Sequence, residues 1–167
     1  DLLLNARDSL IESQTTVMDI PVIDFVDDKG NSARFDRDNS FPNGGGDNTI
    51  VHATAALVVD VDATYTFGVS TGDGARLKVD DVDVIVDPGR VGSSEQFGTI
   101  SLAAGLHSLE LLMYDKDGRT RLELSVAPGE HLSFNEADFQ LLGENVNFTP
   151  LIQTDVRTLM QDVNSSL

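Results

Sequence analysis

The sequence predicts an all-β fold, an antiparallel β-sandwich, and two observations carry that expectation. From Thr49 to Ala127 apolar or β-branched residues alternate with polar ones, the period-two pattern of strands with one face in a core. Glycine and aspartate clusters interrupt the pattern at short intervals, where chain reversals need residues that accept turn conformations. A series of short strands with regular turns folds most readily as two packed sheets.

Taken in order, Thr16–Val26 reads as a first strand. Asp27–Gly46 is a polar stretch containing Asp-Asp-Lys-Gly-Asn and Pro-Asn-Gly-Gly-Gly-Asp, a long loop of the kind that borders sites. Strands then fall near Ile50–Val59, Thr64–Ser70, Ala75–Val79, Val82–Val86, Gly98–Leu102, Gly105–Tyr114 and Thr120–Val126. The step at Asp80-Asp81 is short enough for a tight hairpin, and Asp87-Pro88-Gly89 has turn composition. Tyr65, Phe67, Val69, Leu77, Leu109, Leu111 and Leu122 share the face expected to point inward. At the ends the spacing becomes helical: Leu3, Ala6, Leu10 and Ile11, then Ile152, Val156, Leu159, Met160 and Val163, with Thr154 and Asp155 suited to a helix start. The expected organisation is an N-terminal amphipathic segment (1–15), a sandwich (16–142) and a C-terminal extension with a short helix (143–167).

Composition limits the function. Eleven basic residues face 28 acidic ones, a formal charge of −17, with a pI near 4.2. Such a surface repels phosphate backbones and anionic lipid, so neither nucleic acid nor membrane insertion is expected. It suits divalent cations or a salty medium, where carboxylate repulsion is screened. No apolar run reaches the roughly 18 residues of a membrane-spanning helix. The absence of cysteine excludes disulfides and thiol chemistry. No basic and apolar leader opens the chain, so a secretion signal is expected upstream or already removed.

Catalytic signatures are missing. His52, His107 and His131 stand in separate segments, without the spacing of a zinc site. No Gly-x-Ser-x-Gly elbow occurs, and Gly44-Gly45-Gly46 is followed by Asp47 where a phosphate loop needs lysine. His107 is expected to organise a turn. Asp24, Asp27, Asp28, Asp36 and Asp38 form an acidic group that reads either as a solvated face or as a cation site. The chain has no tryptophan and only two tyrosines, Tyr65 and Tyr114, so ring stacking on sugars is not expected to dominate recognition.

Three motifs resemble one family. The run Tyr65-Thr66-Phe67-Gly68-Val69-Ser70-Thr71-Gly72-Asp73-Gly74-Ala75-Arg76-Leu77 is similar to a Tyr-Thr-Phe strand, Asp-Asp-Gly loop and Arg-Leu strand of the protective-antigen (PA14) domain family. Gly98–Leu111, with Ala104-Gly105-Leu106-His107, is similar to that family's next strand, turn and return. Tyr114-Asp115-Lys116-Asp117-Gly118 falls where it has a second loop. The resemblance implies a jelly-roll sandwich in a secreted bacterial surface protein, and a calcium ion that contacts a sugar.

On that resemblance the metal ligands are Asp73, Asp115 and Asp117, and the ligand-contacting residues are Thr71, Gly72, Asp73, Gly74, Lys116 and Gly118. Gly72 replaces the first aspartate of the family's pair, removing one carboxylate from a site that depends on oxygen charge. The same aspartates can equally serve as turn formers. The resulting expectation is a non-catalytic, extracellular or cell-surface adhesion module, with calcium-assisted carbohydrate binding. The alternative is a structural subunit of a surface layer or filament that self-associates through its terminal segments.

Overall fold

The computed structural model describes residues 15–27, 34–41, 47–89, 94–144 and 152–162. The strands are β1 (Thr15–Ile20), β2 (Asp24–Val26), β3 (Asn39–Ser40), β4 (Thr49–Val59), β5 (Ala63–Thr71), β6 (Gly74–Val79), β7 (Val82–Asp87), β8 (Ser94–Leu102), β9 (Gly105–Asp115), β10 (Arg121–Pro128), β11 (Gln140–Leu141) and β12 (Ile152–Asp162). Six of them form a first sheet in the order β1-β12-β4-β9-β6-β7. The second sheet runs β3-β2-β10-β5-β8, with β11 beside β10. Every pairing is antiparallel except the short parallel contact of β2 with β3. The all-β sandwich expected from alternation is present, and all seven core strands lie where the pattern placed them.

The inner faces meet in one hydrophobic core. Tyr65, Phe67, Val69, Leu77, Leu109, Leu111 and Leu122, the residues expected to face inward, are all buried there with Ile23, Val51, Leu57, Met113 and Leu124. The Asp80-Asp81 hairpin is tight, with φ of 49° and 64°, the paired left-handed geometry of a two-residue turn between twisted strands. At one edge β8 crosses close to β7. A Cβ on Gly98 would lie 2.0 Å from the Val84 carbonyl oxygen, so only glycine permits that approach.

Two expectations are corrected. Thr16–Val26 is not one strand: β1 belongs to the first sheet and β2 to the second, with Pro21-Val22-Ile23 carrying the chain across. Proline cannot donate to a ladder, and the strand ends there. Ile152–Asp162, expected as a helix from Thr154 onward, is strand β12. It pairs over eleven positions with β4 and over six with β1. Ile152, Thr154, Val156 and Thr158 also alternate at period two, and ladder pairing on both sides outweighs a marginal helical preference. The helical expectation at Leu3, Ala6, Leu10 and Ile11 lies outside the described residues, as does Val163.

Pairing aligns one row of residues across the first sheet: Thr15 opposite Gln161, Gln161 opposite Ile50, Ile50 opposite Tyr114, and Tyr114 opposite Gly74. This row marks the end of the sandwich where both resemblance loops emerge.

Candidate functional site

Side-chain alternation carries polar groups into the core at that end. Along β9 the inward positions run Leu109, Leu111, Met113 and then Asp115. Along β5 they run Tyr65, Phe67, Val69 and then Thr71. Beside β5 in the second sheet, Leu124 and Leu122 on β10 lead to Thr120, and Phe25 on β2 leads to Asp27. Asp27, Thr71, Asp115 and Thr120 are all buried. The core therefore ends in a layer of oxygen atoms contributed by both sheets.

Most of these oxygens lack partners. Asp115 is 1% exposed, and neither carboxylate oxygen accepts a hydrogen bond; the Thr71 and Thr120 hydroxyls are likewise buried and unpartnered. Burial pushes the Asp115 carboxyl up to about 6. The Thr120 hydroxyl opposes this without completing a hydrogen bond, and the charges of Asp73, Asp47 and Asp27 add to it. A buried carboxylate surrounded by carboxylates is unfavourable unless something neutralises it.

The surrounding acids also hold the loops. Asp73 Oδ2 accepts from the Lys116 backbone N–H at 2.7 Å, joining the first loop to the second. Asp47 Oδ1 accepts from the Gly118 N–H at 3.0 Å, and the Asn48 N–H donates to the Lys116 carbonyl at 2.9 Å. Asp27 Oδ2 accepts from the Thr120 N–H at 3.0 Å.

Asp73 and Asp115 thus lie in one constellation, with Thr71 at its floor and Lys116 and Gly118 in its rim through their backbones. Asp117 and the Lys116 side chain are exposed on the second loop. Gly74 starts β6 against the turn at Asp87 and Gly89. Gly72 is buried, and a Cβ there would lie 2.8 Å from Thr120 Oγ1 and 3.0 Å from the Arg119 carbonyl oxygen. The missing aspartate leaves no open ligand position, because the Arg119-Thr120 backbone closes over it. Sequence reasoning missed Asp47 and assigned Asp27 to a different cluster. Asp47-Asn48, following a glycine run, was the available signal.

As it stands, no group of three or more His, Asp or Glu among the described residues is arranged to hold a metal ion. A cation at Asp115 would therefore complete its shell with carbonyl, hydroxyl or water oxygens. The donor set is entirely hard oxygen, which fits calcium better than a transition metal.

The histidines serve elsewhere. At the opposite end, His107 Nδ1 lies 2.5 Å from Asp80 Oδ2 and Nε2 lies 2.8 Å from the Ala103 carbonyl oxygen. His107 bridges two turns, as expected of a turn organiser, and its hydrogen bond to Asp80 raises its pKa. His52 Nε2 contacts Glu110 at 2.7 Å, and His131 Nε2 contacts the Pro128 carbonyl oxygen at 2.8 Å.

A family model for the PA14 domain matches residues 10–135. The chain belongs to the PA14 domain family. Among solved structures, this PA14 domain is similar to a PA14 sugar-binding domain from an RTX adhesin, at 23% identity and a TM-score of 0.56 over 83% of this chain and 80% of that one. It is also similar to an anti-sigma factor domain-containing protein from Clostridium clariflavum, at 22% identity and a TM-score of 0.50 over 73% of this chain but only 38% of that one. A weaker likeness, with a TM-score of 0.44 and 14% identity over 55% of this chain and 52% of the other, is to the PA14 domain of the MpAFP antifreeze protein. No match was found among curated proteins.

Proposed function

We propose that this PA14 domain is a non-catalytic extracellular adhesion module that binds carbohydrate through calcium at the Asp115 end of the sandwich. The observation that carries the proposal is the Asp115 carboxylate, buried with both oxygens unpartnered and repelled by Asp73, Asp47 and Asp27. Calcium supplies the missing positive charge and, when bound, an open coordination position for sugar hydroxyls. Asp115 and Asp73 are the anionic ligands, Thr71 and Thr120 offer hydroxyl oxygens, and Asp117 and Lys116 reach outward from the rim. The ties from Lys116 to Asp73 and from Gly118 to Asp47 hold the two loops in register before any ligand arrives. The similarity to an adhesin's sugar-binding domain supports the carbohydrate reading and the extracellular setting. The involvement of His107 in a turn-to-turn bridge supports a binding role over a catalytic one.

A glycan array probed in calcium and again in chelator tests this directly. Calcium-dependent glycan signals that disappear with Asp115→Asn are expected; signals indifferent to chelator would overturn the mechanism. A second reading, a self-associating structural unit, is favoured by Val82 and Val86, which are 54% and 61% exposed on edge strand β7. Sedimentation as a monomer at high concentration would dismiss it.

A further inference from the structure

The outer face of the second sheet holds another buried carboxylate that the proposed glycan site does not use. Asp24 lies on β2 directly opposite Glu123 on β10, so both side chains leave the same face. Strand parity separates this place from the Asp115 end. Asp24 and Glu123 alternate with Phe25 and Leu122, which face the core. Residues 34–38 cover the outer face, and the Arg34 and Phe35 N–H groups donate to Glu123 Oε1 at 2.9 and 3.1 Å.

Beneath this cover, Asp24 is 0% exposed, and both of its oxygens are buried without a hydrogen-bond partner, as is Asp38 Oδ1. The acidic group that could have formed a solvated face is, at Asp24, sealed from water. Burial first, and Glu123 second, push the Asp24 carboxyl up to about 6. The Asp38 and Arg37 amides oppose this without completing a hydrogen bond, and the Asp38 charge adds to it. Neighbouring arginines are engaged elsewhere: Arg34 with Glu95 at 2.9 Å, Arg37 with Glu144, and Arg121 Nε with Ser70 Oγ at 2.8 Å. Asp38 itself holds a left-handed backbone, φ 42°, a region that aspartate enters more readily than most residues other than glycine.

We propose that Asp24 and Asp38, above Glu123, form a second calcium site that pins residues 34–38 to the outer face of the second sheet. Three unpartnered carboxylate oxygens on two residues make a hard, anionic donor set. Two free oxygens on one fixed carboxylate allow bidentate ligation, which calcium accepts and magnesium's tighter octahedral shell disfavours. Backbone carbonyls and water would complete the shell. The ion would turn a repulsive cluster into a clasp. This site stands independently of the Asp115 site.

Calcium titration calorimetry on the chelator-treated chain at about pH 7.5, where carboxylates are ionised, tests the proposal with wild type, Asp24→Asn, Asp38→Asn and Asp115→Asn. Wild type is expected to show a site whose affinity falls at least tenfold in Asp24→Asn and Asp38→Asn and is retained in Asp115→Asn. If the glycan-site reading fails, this site remains as the one calcium equivalent observed. Melting supplies a second readout. In chelator Asp24→Asn should melt above wild type because a buried charge is gone, and in millimolar calcium the order should reverse. Asp38, half-buried and on a covering segment, gives a readout even if Asp24→Asn fails to fold. Unchanged calcium affinity in these variants, or an advantage of Asp24→Asn that persists in calcium, overturns the proposal and makes Asp24 a carboxyl buried in its protonated form.

Discussion

Lys116 and Asp73 connect the two loops through one hydrogen bond, the Lys116 N–H donating to Asp73 Oδ2 at 2.7 Å. The Asp73 carboxylate thus has a structural role and an electrostatic one, and substitutions can separate them. Asp73→Asn keeps an acceptor for the amide, whereas Asp73→Ala removes it. Urea melts in chelator should place Asp73→Ala about 1–2 kcal/mol below wild type and Asp73→Asn closer to it. Calcium affinity should fall in both. Equal stability of the two variants would mean that the hydrogen bond does not anchor the loops.

Without a cation, stability should decline as pH rises from about 4 to about 6. The Asp115 carboxyl is raised from an ordinary 3.8 to about 6, so within that window the folded chain holds a proton the unfolded chain has released. Stability gained by holding that proton is present at the acid end and lost as pH climbs through the folded value. The full displacement corresponds to about 3 kcal/mol. Asp115→Asn should reduce this slope, the Asp24 carboxyl, also raised to about 6, supplying what remains, and in chelator at neutral pH it should melt above wild type. Identical pH profiles for the two proteins would place Asp115 in water.

Gly98→Ala should be among the most damaging single-methyl additions. Its Cβ would meet the Val84 carbonyl oxygen at 2.0 Å and Ile85 Cγ1 at 2.8 Å, and backbone cannot swing aside as a flexible side chain can. A loss of about 3 kcal/mol in denaturant melts is expected, with β8 pushed away from β7. A loss below about 0.5 kcal/mol would mean that the two edges are not in contact.

Removing the residues after Pro150 deletes β12 from the interior of the first sheet, between β1 and β4. The eleven-position ladder to β4 and the six-position ladder to β1 would both be lost, exposing unpaired backbone on β4. The truncated chain should fail to fold cooperatively or should associate through the open edge. Circular dichroism melts and particle sizing distinguish these outcomes from a dispensable tail, for which neither would change.

The central strands were legible because each satisfies its pattern locally: Tyr65, Phe67 and Val69 alternate along β5, and Asp80-Asp81 marks its own turn. β12 was not, because Ile152, Val156, Leu159 and Met160 match helical spacing while Ile152, Thr154, Val156 and Thr158 match strand spacing. The choice was made by an open place between β1 and β4, far away in sequence. The two loops of the candidate site were found through their motifs. That Asp115 is buried and unpartnered depends on Asp27, Asp47 and Thr120 arriving from other strands and loops, and no local pattern reports that. The burial of Asp24 was hidden for the same reason, since an acidic group in sequence does not reveal the segment folded over it.

The register row from Thr15 through Gln161, Ile50 and Tyr114 to Gly74 has a mechanical meaning. β1 begins, β12 finishes, and both candidate loops emerge at the same rim of the sandwich. A pull exerted between something held at Asp115 and the backbone at Thr15 or Asp162 would travel along that rim, leaving the far end, with its His107–Asp80 bridge, outside the line of force. Pulling on Thr15 and Asp162 against each other would instead open β1 from β12 one pair at a time, starting with Thr15 and Gln161. The domain would then yield like a zip, at low force and from the rim where both candidate loops emerge.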